Sequence, residues 1–375
     1  MNIRIIVSLL ALLLFAGSAV ADGTGGHLIE VNGKVWIQAP EADKKIARAG
    51  ITLAPGTKIL TGPDGKAEVS LTDGSIIVVQ QNSSMVLSGI KRQKKKKTSI
   101  LIFFGRIWNK VSRAVGGRAG YEVNTPIVVC GVRGTEFETA VADDGSVRVK
   151  VNEGTVSVQG DGKDKTIKKD QEIDADTDGV GKIRSAEEKA DWEMWQTQKR
   201  ERLKTQGRSI MDNVKSRIMV RKEKLETLRA RQKDIEKKRE LAIKRAKEGD
   251  QSAIDEIRRY NEELLAIADE IADLGDAAGC QFGLVDHFGN MATDPRFQMI
   301  DGKYVEAEAA SMRRIKTMFD KMIEEGTDIS LEAMEKMLDE MSDGQRGSLK
   351  FHQASSPWLP VKYQYLLQSS CRTWS

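Results

Sequence analysis

The sequence is poor in the residues on which catalytic and disulfide-rich proteins depend. It has three cysteines, three histidines and seven prolines among 375 residues, too few cysteines for a disulfide scaffold. It contains no HExxH motif, no paired Cys/His spacing, no glycine-rich phosphate loop after a strand and no GxSxG, so we expect no cofactor, no zinc site and no catalysis. The formal net charge of +4 is too small to indicate a nucleic-acid binder. These absences favour a binding or structural protein over an enzyme.

Residues 1–21 have the composition of a secretory signal peptide. One early charge, Arg4, precedes an apolar run over residues 5–16 and small residues ending at Ala21, after which we expect cleavage. The run is shorter than the roughly 20 residues that span a bilayer, and no later stretch is long and apolar enough. We therefore expect a periplasmic or secreted protein with no transmembrane segment after cleavage.

The three cysteines would then lie in an oxidising compartment, where disulfides persist. Cys130 belongs to an apolar run over residues 127–132 and is expected to be buried. Cys280 and Cys371 remain as a candidate pair, with three free thiols as the alternative.

Residues 28–180 alternate between apolar and polar side chains, as in residues 68–72 and 147–151. Such alternation places one face of a strand in a core and the other in water. Turn signals such as Asp64-Gly65, Asp73-Gly74 and Asp144-Gly145 separate the runs. The pattern predicts an all-β domain, a sandwich or roll of about ten short strands.

After residue 185, glutamate, lysine, arginine, alanine and leucine predominate and indicate helices. The first apolar register comprises Met211, Val214, Ile218, Leu225, Leu228, Ile235, Ala242 and Ala246, interrupted by Arg221, Gln232 and Arg239. After Gly249-Asp250, a second register comprises Ile254, Ile257, Leu264, Ala268 and Ile271, interrupted by Asn261. These registers predict a coiled-coil-like hairpin over residues 185–275.

Short helices are expected over residues 276–345, at about 305–325 and 331–341. Residues 346–375 would form an aromatic docking tail or a poorly ordered end. The chain as a whole is therefore predicted to be a multidomain α+β protein.

Charge is segregated between the predicted helices. Residues 198–247 carry 19 basic and 7 acidic side chains, whereas residues 248–343 carry 9 and 24. We expect the basic and acidic helices to pair within the chain, and the helical region to offer a surface for self-association. Binding of a polyanion such as nucleic acid is the less favoured alternative.

Three segments of the β region resemble the FecR domain, the periplasmic module of iron-transport regulators. They are residues 33–62, residues 67–79 and residues 124–156, and they contain the motif residues Asp73, Gly74, Thr125, Pro126, Arg133, Gly134, Thr135, Glu153 and Gly154. The resemblance implies an extracytoplasmic all-β recognition module. The regulators also have a cytoplasmic anti-sigma segment and a membrane helix, whereas here we expect only a signal peptide before residue 28.

We therefore expect recognition or scaffolding with envelope proteins as partners, rather than control of a sigma factor. The alternatives are binding of an anionic envelope polymer, such as peptidoglycan or lipopolysaccharide, and a signalling role related to the FecR regulators.

Two motif-level expectations concern arginine and tryptophan. Arg133 is expected to fork onto a carboxylate or carbonyls and hold a turn, with contact to a partner as the alternative. Trp192 and Trp195, three residues apart at the start of the helical region, are expected to cap the β core rather than bind a ligand.

Two charged runs are candidate contact sites. The basic run contains Lys91, Arg92, Lys94, Lys95, Lys96 and Lys97 and is expected to form a solvated loop, which could also contact lipid phosphates, acidic glycans or an acidic protein. Asp174, Asp176 and Asp178, followed by Gly179, match the opening of a calcium loop, but Ser185 replaces the bidentate glutamate that closes such a loop. Calcium binding is accordingly a weak expectation.

Overall fold

The computed structural model describes residues 25–90, 97–112, 120–160, 162–186 and 191–339. A region of many strands is followed by three long helices, which confirms the α+β class. The described chain forms two compact units. Among the described residues, the larger unit contains those up to 231, with all of the strands, and residues 266–327. The smaller unit contains residues 232–265 and 328–339.

Eighteen strands are present in the described residues. They are β1 (Gly26–Asn32), β2 (Val35–Gln38), β3 (Lys45–Ile46), β4 (Thr52–Leu53), β5 (Lys58–Thr61), β6 (Lys66–Leu71), β7 (Ile76–Val79), β8 (Ser84–Leu87), β9 (Lys97–Lys110), β10 (Gly120–Asn124), β11 (Val129–Val132), β12 (Glu136–Val141), β13 (Val147–Glu153), β14 (Thr155–Gly160), β15 (Lys163–Lys168), β16 (Gln171–Asp176), β17 (Gly179–Val180) and β18 (Arg184–Ser185). Four of these strands have only two residues. Two-residue strands are too short to show alternation, but the other fourteen strands still exceed the expected number of about ten.

The strands form two sheets that share β9. Sheet A has the order β4-β1-β6-β7-β9-β12-β13-β16, with β17 and β18 beside β16. Sheet B has the order β3-β2-β5-β8-β9-β10-β11-β14-β15. The described pairs are antiparallel except β9 with β10.

Strand β9 passes from sheet B to sheet A along its 14 residues. Its first part pairs with β8 and β10, and its second part pairs with β7 and β12. Gly105 lies at the transition with φ +94°, a conformation that favours glycine. One core therefore lies between the two sheets, with Val69 and Ile77 from sheet A against Ile59 and Met85 from sheet B.

The helices of the described residues are α1 (Trp192–Lys247), α2 (Ser252–Thr293) and α3 (Gly302–Asp339). Helix α1 is kinked at Gln206, where φ is −123° and ψ is 21°. The expected boundary at residues 275–276 is absent, because α2 continues through it, and α3 is continuous where two short helices were expected. The glycines of α2 close to this point have a packing role described below.

Ion pairs join the basic helix to the acidic helices. Within the larger unit, Lys224 of α1 pairs with Glu270 of α2 at 2.7 Å. Lys215 of α1 pairs with Glu308 of α3 at 2.6 Å. Basic side chains of α1 thus pair with acidic side chains of α2 and α3 within the chain, as expected. No helix among the described residues is long and apolar enough to cross a membrane.

Candidate recognition surfaces

Helix α2 lies on the outer face of sheet B and is held there by a buried carboxylate. Asp276 accepts hydrogen bonds from Ser88 Oγ and Ser99 Oγ, both at 2.6 Å. Ser99 Oγ also accepts a hydrogen bond from Asn124 Nδ2 at 3.0 Å. Since hydrogen bonds to a charged acceptor are shorter and stronger than neutral ones, Asp276 fixes the position of α2 on the sheet.

One turn further along α2, two side chains bind backbone oxygens of the β10–β11 turn. Cys280 Sγ donates to Asn124 O at 3.2 Å, and Gln281 Nε2 donates to Pro126 O at 3.1 Å. Buried carbonyl oxygens need hydrogen-bond donors, and α2 supplies one to each of these two. The Thr-Pro turn of the FecR-like motif is therefore a contact site for α2.

Glycines on α2 allow the helix to approach the sheet closely. A Cβ atom at Gly279 would lie 3.2 Å from Leu101 Cδ2, and one at Gly283 would lie 2.5 Å from Phe103 Cδ1. Leu101 and Phe103 pack with Cys280 in a cluster on the outer face of sheet B. Glycine weakens a helix by about 1 kcal/mol relative to alanine. Glycine is present at these two positions because the helix packs closely on the sheet, and not because of its helix propensity.

The last turns of α2 form a polar contact with the β12–β13 turn. His287 Nε2 lies 2.9 Å from Asp143 Oδ1, and its ring stacks on Phe104 with centroids 4.2 Å apart. Arg200 of α1 pairs with the same carboxylate at 3.1 Å. Burial by itself would raise the pKa of Asp143, but the hydrogen bond and charge of His287, together with Arg200, lower it below its usual value.

The start of α1 covers part of the outer face of sheet A. Trp195 is buried against Ala140 and Ala142, and Trp192 packs beside it. The Arg148 guanidinium lies 4.9 Å from the centroid of the Trp195 ring, in the range of a cation–π contact. The expectation that the two tryptophans cap the β domain is confirmed, and both sheets thus carry helical residues on their outer faces.

The FecR-like motif residues build turns. Asp73 Oδ1 accepts from Ser75 N at 2.8 Å, and Gly74 has φ +82°. Thr125 Oγ1 accepts from Val128 N at 2.9 Å and donates to Val128 O at 2.6 Å, so it closes the turn that contains Pro126.

A second motif turn joins β11–β12 to β13–β14. Gly134 and Gly154 have φ values of +59° and +86°, and Thr135 Oγ1 donates to Thr155 O at 2.9 Å. Glu153 lies at the end of β13 opposite Glu136 of β12. The turn is thus held by Thr135 and by the backbone.

Contrary to the expectation, Arg133 does not hold its turn through a carboxylate or carbonyls of the described residues. Its side chain is exposed, and it makes no ion pair or side-chain hydrogen bond with another described residue. The hydroxyl of Thr135 supplies the contact that was expected from the arginine. The guanidinium therefore faces solvent at the motif turn, where it is accessible to a partner.

The basic run is described only at its end, because residues 91–96, with Lys91, Arg92, Lys94, Lys95 and Lys96, lie outside the described residues. Lys97 begins β9, and its side chain is 7% exposed. Its Nζ pairs with Glu122 at 2.5 Å and with Asp273 of α2 at 2.7 Å. Lys97 is therefore an internal contact between sheet B and α2, and its assignment to a solvated contact loop was wrong.

The three aspartates of the calcium-like sequence are paired with arginines. Asp174 contacts Arg148 at 2.7 Å and Arg184 at 2.9 Å, while Asp176 and Asp178 face Arg202. Burial would raise the pKa of Asp174, but the hydrogen bond and charge of Arg148 outweigh it and lower that pKa. The described residues contain no group of three or more His, Cys, Asp or Glu side chains that could hold a metal ion, so the calcium interpretation is not supported by this geometry.

Cys130 and Cys280 are buried free thiols. Burial raises the pKa of Cys130 to about 12 and that of Cys280 well above its usual range. Cys371 lies outside the described residues, as do the expected signal peptide and the aromatic tail.

Sequence reasoning missed the residues that join α2 to the sheet. Asp276, Gln281 and His287 are polar, and without a partner they resemble surface residues of a helix. Their signal is their position beside Gly275, Gly279 and Gly283, whose four-residue spacing marks one face of a helix.

Comparison with known families agrees with the β-domain architecture. Residues 57–157 match the family model described as FecR protein, and this range contains all of the motif turns described above. The chain therefore carries a FecR domain over residues 57–157, as the resemblance implied. No curated protein matches the chain.

Among solved structures, the chain is similar to a Parabacteroides distasonis protein described as a "putative anti-sigma factor", in two crystal structures. Both matches have 18% sequence identity and a TM-score of 0.31, and they cover 35% of this chain and 60% of that protein. The chain thus spans less than two thirds of the structure that it matches.

Proposed function

We propose that this FecR-domain protein is exported and acts without catalysis, as a recognition or scaffold module for proteins of the periplasm or cell envelope. The observation that carries the proposal is the use of the outer sheet faces. Sheet B holds α2 through Asp276, Cys280 and Gln281, and sheet A holds Trp192 and Trp195. A domain that binds helical segments of its own chain in this way offers the same chemistry to other proteins.

The charge distribution of the helices supports protein recognition over binding of an anionic polymer. A long basic helix suits a polyanion, but α1 is partly matched by carboxylates of the same chain, as in the pairs of Lys215 with Glu308 and Lys224 with Glu270. Its positive field is therefore reduced before any external anion approaches.

Photo-crosslinking in the intact envelope tests the proposal. A photoreactive residue replaces Arg133, which is exposed at the motif turn, or Val220, which is 63% exposed on α1. Discrete protein adducts at Arg133, seen in extracts that preserve the envelope and lost when the sample is not irradiated, are expected. Mass analysis of the purified protein should give Asp22 as its first residue.

The rival function gives a different result. Absence of protein adducts, combined with salt-sensitive cosedimentation with purified peptidoglycan or lipopolysaccharide, would favour an anionic polymer as the ligand. A full-length precursor retained in the cytoplasm would contradict export.

A further inference from the structure

Helix α2 covers only part of the outer face of sheet B. The remaining part carries a row of apolar side chains, since residues directly opposite each other on neighbouring strands point to the same side. Trp36 of β2 is opposite Ile46 of β3 and Leu60 of β5. Ile46 is 73% exposed, and the other two side chains are half-buried.

This row is continuous with the surface that α2 already occupies. Leu60 is opposite Ser84 of β8, and Ser84 is opposite Phe104 of β9. Phe104 stacks on His287 of α2. The apolar row therefore begins at the edge of the helix-covered region and runs across β5 and β2 to the edge strand β3.

Two lysines flank the row. Lys44 Nζ lies 4.1 Å from the centroid of the Trp36 ring, and Lys58 Nζ lies 5.3 Å from that of Phe103. Neither forms an ion pair of 4.0 Å or less with a described carboxylate. Burial lowers the pKa of Lys58, and the charge of Lys44 lowers it further, although Asp286 of α2 opposes this effect. The positive charge at this surface is thus only partly neutralised.

We propose that this lysine-flanked strip, made of Trp36, Ile46, Leu60, Lys44 and Lys58, binds an acidic amphipathic helix of a partner protein. The proposal rests on the recognition function proposed above and specifies its surface. An acidic helix fits because α2 binds the same sheet face with apolar contacts at Leu101 and Phe103 and with a carboxylate, Asp273, on a sheet lysine.

The chemistry of the strip favours this occupant. A row of apolar residues flanked by cations matches a helix with apolar residues at i, i+3, i+4 and i+7 and carboxylates beside them. Attraction between the lysines and the acidic helix would raise the association rate and select against basic partners.

A binding assay on the full chain tests the strip. The probe is a labelled synthetic helix of about 20 residues, with leucine along one stripe and glutamate elsewhere, and anisotropy measures its binding. We expect saturable binding that weakens at least about tenfold in Ile46→Asp and in Lys44→Glu/Lys58→Glu. Binding should also weaken as salt is raised, and a lysine version of the peptide should not bind.

Ile29→Asp is the matched control, because Ile29 is an exposed isoleucine of β1 in sheet A, outside the strip. It should leave the affinity unchanged. Circular dichroism and thermal midpoints of each variant verify the fold, and the high exposure of Ile46 makes Ile46→Asp compatible with folding. Absence of saturable binding, or binding that the strip variants and Ile29→Asp affect equally, would overturn the proposal.

Photo-crosslinking separates the two proposals. Adducts from a photoreactive residue at position 133 but none from one at position 46 would contradict the proposed binding strip without contradicting the proposed recognition function. Absence of protein adducts from both positions would contradict the recognition function itself.

Discussion

The close approach of α2 to sheet B makes Gly283→Ala a sensitive test of the fold. In an ordinary helix this change stabilises the protein by about 1 kcal/mol. Here the new Cβ would lie 2.5 Å from Phe103 Cδ1 and 2.6 Å from its Cγ, and overpacking of this kind costs about 1–3 kcal/mol. The steric cost should exceed the propensity gain, so we expect a loss of stability of up to about 2 kcal/mol.

Gly279→Ala is the matched control, one turn earlier on the same helix. Its Cβ would meet only Leu101 Cδ2, at 3.2 Å, and this methyl group can move by a rotamer adjustment. The propensity gain should therefore persist, and the two variants should differ by about 2 kcal/mol. Urea unfolding followed by tryptophan fluorescence and by circular dichroism measures the difference.

A second substitution identifies the clash. Phe103→Ala removes the Cγ and Cδ1 atoms that the new methyl group would meet, so Gly283→Ala should be less destabilising in that background. If Gly283→Ala and Gly279→Ala stabilise the protein equally, α2 does not lie on sheet B at the distance described, and the account of the glycines fails.

Three further predictions concern buried polar groups. Asp276→Ala should cost about 3 kcal/mol because two hydrogen bonds to a carboxylate are lost. Asp286→Ala, where the side chain is 47% exposed, should change the free energy of unfolding in urea by less than about 0.5 kcal/mol, and equal losses in the two variants would contradict this. The folded-state pKa of Asp143 is lowered, so its stabilisation is complete above the unfolded value of about 3.9 and is lost as the pH falls through the folded value. The difference in thermal midpoint between the wild type and Asp143→Asn should therefore shrink on acidification below about pH 4, and a constant difference would refute the assignment. Cys130 and Cys280, buried and with raised pKa values, should react with a thiol reagent only after unfolding, and rapid labelling of either residue in the native protein would contradict their placement.

The two-residue alternation of the sequence predicts the β domain, and the three-and-four spacing of apolar residues predicts the helical region. Both patterns arise because one face of a single strand or helix is buried. Contacts between a helix and a sheet produce no comparable pattern in the sequence. Gly279 and Gly283 resemble helix breakers until Leu101 and Phe103 are placed against them, and Asp276 resembles a surface acid until its serine partners are known.

The same limit explains the errors at charged residues. Lys97 belongs to a run of cations, and only the tertiary fold brings Glu122 and Asp273 to its side chain. Arg133 lies between apolar and small residues, which suggested an anchoring role, but the short side chain of Thr135 already fills the hydrogen-bonding position at the turn. A charged side chain is assigned correctly only when its counter-charges are known, and these are distant in sequence.

In the smaller unit, two polar residues that interrupt the apolar registers of α1 and α2 contact each other. Arg239 interrupts the register of α1, and Asn261 interrupts that of α2. Arg239 Nη1 donates to Asn261 Oδ1 at 3.3 Å, and burial lowers the pKa of Arg239. Desolvating a guanidinium is costly, so this pairing contributes less stability than leucines would. Its effect is on alignment, because sliding either helix by one turn would leave the arginine facing an apolar side chain.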